Sequence, residues 1–213
     1  MTARSTLTMA GAIAATAILA ACSGTPATSP APAPAASSGG TSPAVAATSQ
    51  PRAAATELNP SGDIPDNQAY VAFSPAGGGY SVKIPEGWSR TATGTSTSFT
   101  DKLNRIEVSM ATAPTQPSIG AVTSNDVPVV QARVPKFSMG KVTSVARHGG
   151  MAILLTYQGD SAPDQVTGKV IRDAFERYTF YRAGKRVDLT QSGPINADNV
   201  DPWRIVSDSM RWS

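Results

Sequence analysis

Arg177-Tyr178-Thr179-Phe180-Tyr181-Arg182-Ala183-Gly184-Lys185-Arg186-Val187-Asp188-Leu189-Thr190 is two alternating runs on either side of a turn signal. A two-residue loop at Ala183-Gly184 sets Phe180 opposite Val187 and Tyr178 opposite Leu189, all on one face. The other face then carries Arg177, Thr179, Tyr181, Arg186, Asp188 and Thr190. A three-residue loop would set Phe180 against Asp188 and mix the faces. A one-residue slip turns every side chain over, so burial selects the first register. The stretch predicts an antiparallel hairpin with one apolar side.

The same pattern extends upstream. Tyr70–Phe73 reads as a short strand, Gly77-Gly78-Gly79 as a linker, and Tyr80–Ile84 as a second strand ending in a turn at Ile84-Pro85-Glu86-Gly87. Thr95–Thr100 and Arg105–Ala111 predict two more strands. Lys141–Arg147 and Met151–Tyr157 flank His148-Gly149-Gly150, another hairpin signal. Two helices are expected. One starts near Asp201 as N-cap, with Pro202 at its first helical position, and presents Trp203, Val206 and Met210 as a stripe. Arg204 and Asp208 lie four apart on it and can pair. The other runs from about Ser124 to Val134, with Val127, Val130 and Val134 at helical spacing and Pro135 as its stop. Strands with one helix inserted and one at the end predict an α+β fold, an antiparallel β-sheet packed with two helices.

That body is expected over residues 64–213, where every Trp, Tyr and Phe falls. Residues 22–63 are rich in Pro, Ala, Ser and Thr, carry few charges and lack aromatics. Such a segment cannot bury enough apolar surface to offset its ordering entropy and is read as a disordered tether. As a coil of some 40 residues it would reach about 35 Å. Residues 1–21 read as a signal peptide. Arg4 gives the positive start, and the uncharged stretch from Leu7 to Ala21 is shorter than the roughly 20 residues of a spanning helix. The stretch ends in Leu19-Ala20-Ala21-Cys22. Cys22 is the chain's one cysteine, so no disulfide can form within the chain. Leu, two small residues and then Cys resembles the bacterial lipobox. That resemblance implies a diacylglyceryl group on the Cys22 thiol, cleavage before Cys22, and a protein held on the extracytoplasmic face of the cell membrane. Two or three acyl chains suffice for durable anchoring where one does not.

Catalytic chemistry is sparse. His148, the one histidine, sits beside two glycines and reads as an exposed turn residue. No Gly-x-Ser-x-Gly elbow accompanies it for a triad. One histidine and a lipidated cysteine predict no zinc site, and no cofactor motif is present. Asp160 and Asp164 share one loop, and Asp198, Asn199 and Asp201 share another. Either could offer oxygen ligands to Ca²⁺, but turns and a helix cap explain them more simply. Arg172, Arg177, Arg182, Lys185 and Arg186 gather in the last hairpin. A solvated sheet face is expected there, with contact to acidic headgroups or glycans as the functional alternative. A net charge of +3 without a basic run predicts no nucleic-acid partner.

Tyr80-Ser81-Val82-Lys83-Ile84-Pro85-Glu86-Gly87-Trp88 resembles the opening strand and turn of PsbP-like domains. The middle helix, the hairpin across 148–150, the long strand pair 170–191 and the closing helix follow that order. With Cys22 and the Pro/Ala-rich spacer, the chain resembles the PsbP-like lipoproteins of actinobacteria, such as the LpqN group. The resemblance implies a non-enzymatic accessory or binding module of the cell envelope, with an envelope lipid or protein as partner, and it supplies no catalytic residues. The alternative is a surface hydrolase with paired carboxylates drawn from Asp160, Asp164, Glu176, Asp188 and Asp198.

Overall fold

The structure is a computed structural model that describes residues 61–163 and 167–213. The expected signal peptide, Cys22, nearly all of the tether, and Asp164 lie outside the described residues.

Among the described residues the last hairpin has the register its sequence requires. Strands β8 (Arg172–Arg182) and β9 (Lys185–Pro194) pair Phe180 with Val187 and Tyr178 with Leu189. Ala183 and Gly184 both have positive φ, 47° and 79°, as a primed two-residue turn demands. Phe180, Val187 and Leu189 are fully buried. The hairpin is the centre of a seven-stranded antiparallel sheet of order β3-β4-β5-β9-β8-β7-β6. The other members are β3 (Ser89–Thr93), β4 (Ser96–Asp101), β5 (Asn104–Thr112), β6 (Ser138–Arg147) and β7 (Gly150–Asp160). Strand β3 is not evident in the sequence. Its Ser-Arg-Thr-Ala-Thr run is exposed at every residue, so it has no apolar period to read. A smaller sheet of order β1-β2-β10 joins Tyr70–Phe73, Tyr80–Pro85 and Arg211–Trp212.

One face of the large sheet packs on the small sheet and the closing helix. Ile106, Val108, Tyr178, Phe180, Val187 and Leu189 meet Phe73, Tyr80, Val82, Ile84, Val206 and Met210 there. Burying each large side chain stabilises by about 1.5–3 kcal/mol relative to exposure. The closing helix spans Val200–Asp208 with Asn199 at its N-cap position, two residues ahead of the expected cap at Asp201, so Pro202 is its third residue rather than its first. Asn199 holds the boundary position, but its side chain turns inward. Its Oδ1 accepts from Ile64 N at 2.8 Å, and its Nδ2 donates to Gly62 O and to Asn104 Oδ1. Asn104 Nδ2 also donates to Gly62 O. The folded body therefore includes Gly62. Trp203, Val206 and Met210 are buried, and Arg204 pairs with Asp208 at 3.4 Å, as the sequence predicts.

The other face packs on the middle helix. That helix is longer than the sequence predicts and is not uniform. It runs through Ile119–Ala121, a π-helical stretch Val122–Asp126, and Val127–Arg133. Ser118 caps it by accepting from Ala121 N at 3.1 Å. Pro128 lacks the N–H that would bond the Ser124 carbonyl, which frees the preceding turn to widen. Val122, Val127 and Val130 pack on Ile153, Leu155 and Tyr157. The helix end lies directly on Gly159, where a side chain would strike Val134.

Candidate binding cleft

The middle helix covers the β6–β7 side of its sheet face and leaves the β8–β9–β5 side open. The pairing registers order that open floor into rows. One row reads Tyr157, Phe175, Ser192, Arg105 and the next reads Leu155, Arg177, Thr190, Glu107. Strand β9 contributes Thr190 and Ser192 between much larger neighbours, so the floor sinks along it. The helix, the 100–105 hairpin turn and the segments at 160–163 and 167–171 wall the depression. The result is a cleft of about 1220 Å³. Phe175 stacks on Tyr157 with ring centroids 4.5 Å apart and planes 7° apart, and Phe137 backs Tyr157. An aromatic ledge thus stands beside the Ser192 gap.

The charges of this face are largely paired. Asp188 sits between Arg177 at 3.0 Å and Arg186 at 2.9 Å, and Thr179 Oγ1 donates to it at 2.7 Å. Arg186 also pairs with Asp126 of the middle helix, which pins helix to sheet across 60 residues of chain. Burial would weaken the Arg186 charge, but the two carboxylates outweigh it and hold the proton more firmly. Glu107 receives Arg105 at 2.7 Å and Ser96 at 3.0 Å. Burial alone would raise its pKa; hydrogen bonds from Arg105 and Ser96 and the charges of Arg105 and Arg177 bring it below the ordinary value. Asp160 is clamped by Lys136 at 2.7 Å, with Arg172 behind at 3.5 Å. The Lys136 hydrogen bond holds the Asp160 carboxyl low against the opposing effect of burial.

Asp173 differs. It lines the cleft two residues from Phe175 on the same face of β8, it is 5% exposed, and its Oδ1 is buried with no hydrogen-bond partner among the described residues. Burial, and then the negative charge of Asp160, push its carboxyl up to about 6. Sequence reasoning passed over Asp173. Its signal was the alternation of Asp173, Phe175 and Arg177 on the face opposite Tyr178, but alternation does not report what covers a face.

The residues singled out from sequence distribute as follows. His148 is exposed, and its Nδ1 lies 2.8 Å from Asp208 O, far in role from any nucleophile. Of the five carboxylates proposed for hydrolysis, Asp160 lines the cleft. Glu176 lies on the opposite face, accepting from Tyr178 OH at 2.7 Å. Asp188 is held by its arginines, Asp198 is exposed beside Asp63, and Asp164 lies outside the described residues. Asn199 is a buried structural residue, so the 198–201 loop does not gather oxygen ligands around a cation. Among the described residues no group of three or more His, Cys, Asp or Glu could hold a metal ion. The expected solvated basic face is corrected: Arg172, Arg177 and Arg186 are partly buried and ion-paired, Arg172 with Asp160 of β7, Arg177 with Asp188 of β9, and Arg186 with both Asp188 and Asp126 of the middle helix. Arg182 and Lys185 at the hairpin tip are exposed.

No protein-family description matches the chain, and no curated protein matches it. Solved structures do resemble it. The cyanobacterial PsbP (CyanoP) of Synechocystis sp. PCC 6803 is similar over 71% of this chain and 98% of its own, with 15% identity and a TM-score of 0.48. LpqN of Mycobacterium tuberculosis, described as involved in cell envelope biogenesis, is similar over 68% of this chain and 85% of its own, with 13% identity and a TM-score of 0.38. The Ran-binding protein Mog1p of Saccharomyces cerevisiae shares 9% identity over 61% of this chain and 79% of its own, with a TM-score of 0.44. Among the described residues no helix is long and apolar enough to cross a membrane.

Proposed function

We propose that this chain is a lipid-anchored extracytoplasmic protein whose folded body is a non-enzymatic binding module of the cell envelope, with the cleft under the middle helix as its ligand site. The observation that carries the reading is the cleft itself. At about 1220 Å³ it exceeds the roughly 300–1,000 Å³ of most small-molecule sites, combines an aromatic ledge with a few convergent polar groups, and is floored by a rigid sheet. The pairing of the other cleft carboxylates supports binding over hydrolysis. Glu107, Asp126 and Asp160 each hold a cation rather than standing free to pass a proton. The anchor rests on the sequence ending Leu19-Ala20-Ala21-Cys22.

Native mass spectrometry of the full chain, purified from its own host, tests the cleft. A co-purified small molecule is expected, and its absence from every preparation would remove the reading. Membrane fractionation tests the anchor: Cys22→Ser should lose the lipid and leave the membrane pellet. A Cys22→Ser chain that pellets as firmly as the parent would show that something else holds it there.

A further inference from the structure

The charges lining the cleft can be accounted for one by one. Glu107, Asp126 and Asp160 each hold an arginine or lysine. Among the described residues Asp173 holds none, and its Oδ1 has no donor. A buried carboxylate oxygen without a donor is unfavourable, and a charged donor satisfies it best. A lone carboxylate is a poor metal site, since hard cations gather six or more oxygens. An ammonium group needs one carboxylate and tolerates an aromatic face beside it. Phe175 stands two residues along β8, about 6.7 Å away, with one ring face stacked on Tyr157. On the other side of Phe175 the small Ser192 leaves room for the body of a ligand.

The cations divide the opposite way. Arg105 and Arg177 are paired. Lys102, Arg133 and Lys169 line the cleft, are exposed, and make no ion pair among the described residues. The cleft thus offers an unmatched negative group in its wall and unmatched positive groups at its rim. A simple amine meets the first and is repelled by the second, while a simple anion does the reverse.

We propose that the cleft takes a zwitterion, its primary ammonium group seated on Asp173 beside Phe175 and its acidic group facing Lys102, Arg133 and Lys169. This rests on the cleft being a ligand site. Isothermal titration of the full-length protein in nonionic micelles tests it, with phosphoethanolamine, ethanolamine and inorganic phosphate as probes. Phosphoethanolamine should bind at least tenfold more tightly than either half alone. Asp173→Asn should weaken it at least tenfold, and so should Ser192→Phe, which fills the gap; thermal unfolding checks that both variants fold. Phosphatidylethanolamine supplied in the same micelles separates the sources: competition with phosphoethanolamine supports a lipid headgroup, and its absence supports a soluble zwitterion. Phosphate binding as tightly as phosphoethanolamine, or an affinity unmoved by Asp173→Asn, would overturn the proposal. So would silence from every probe. In that case native mass spectrometry decides the wider reading: another molecule held by the parent and lost from Ser192→Phe leaves the cleft a ligand site, and an empty protein takes both ideas down.

Discussion

The two faces of the seven-stranded sheet use the same strands to opposite ends. Toward the small sheet, β5, β8 and β9 present Ile106, Val108, Tyr178, Phe180, Val187 and Leu189, an apolar layer sealed from water. Toward the middle helix the same three strands present Arg105, Glu107, Asp173, Arg177, Asp188 and Thr190. The first face gains stability from transfer of apolar area, and the second has to neutralise its own charges before it can be covered at all. Where carboxylates and arginines meet, around Asp188 and Asp126, helix and sheet are pinned together, although Arg177 Nε is buried without a partner among the described residues. Where pairing is incomplete, around Asp173, the molecule stays open. Incomplete pairing therefore marks the candidate site more sharply than any motif does.

Four substitutions can break or sharpen this contrast. Phe180→Ala, on the sealed face, should cost about 3–5 kcal/mol in denaturant unfolding, because a fully buried ring leaves a cavity. Asp188→Ala, on the charged face, should cost about 2–4 kcal/mol by the same measurement. It strips a shared carboxylate from Arg177 and Arg186, whose side chains are 25% and 19% exposed, so the loss falls below that of a sealed ion pair. If Asp188→Ala were harmless, the charged face would be decoration rather than a clamp. Asp173→Asn should instead stabilise, by about 1–3 kcal/mol above pH 7. The carboxyl is raised from 3.8 to about 6 in the fold, so the folded state keeps its proton longer than the unfolded chain. Stability should then fall as pH rises from about 4 to about 6 and level off beyond, and the gain from Asn should vanish below pH 4. Asp160, held low by its hydrogen bond from Lys136, faces the same region and stays ionised across that window. A flat difference between parent and variant from pH 4 to 8 would contradict this. The smallest effect belongs to Arg105→Gln: its pair with Glu107 is half exposed on both sides, and the change should stay within about 0.5 kcal/mol.

What could be read from the sequence follows from these differences. The Phe180–Val187 and Tyr178–Leu189 pairs were legible because a two-residue loop and a one-sided apolar pattern leave one workable register. The closing helix was legible because Trp203 and Val206 fall on one stripe; Met210, expected on the same stripe, lies past the helix end and is buried from there. Strand β3 was not, since an exposed edge strand has nothing to alternate. The first turns of the middle helix were not, since Val122 belongs to a π-helical stretch that breaks the 3.6-residue period. The cleft was beyond reach for a different reason. It depends on Asp126 meeting Arg186 and on Val134 meeting Gly159, contacts between distant parts of the chain that no local pattern encodes.

The buried asparagines have a mechanical consequence. Residues 62–64 are fastened by Asn104 and Asn199 to Gly62, by Asn199 to Ile64, and by Asp63 to the Asp198 amide. These bonds tie the start of the folded body both to the β4–β5 turn and to the base of the closing helix. Ser61, Gly62 and Asn104 all line the cleft, so a pull on the chain upstream of Ser61 would load these bonds together and be felt at the cleft wall and the first residue of β5.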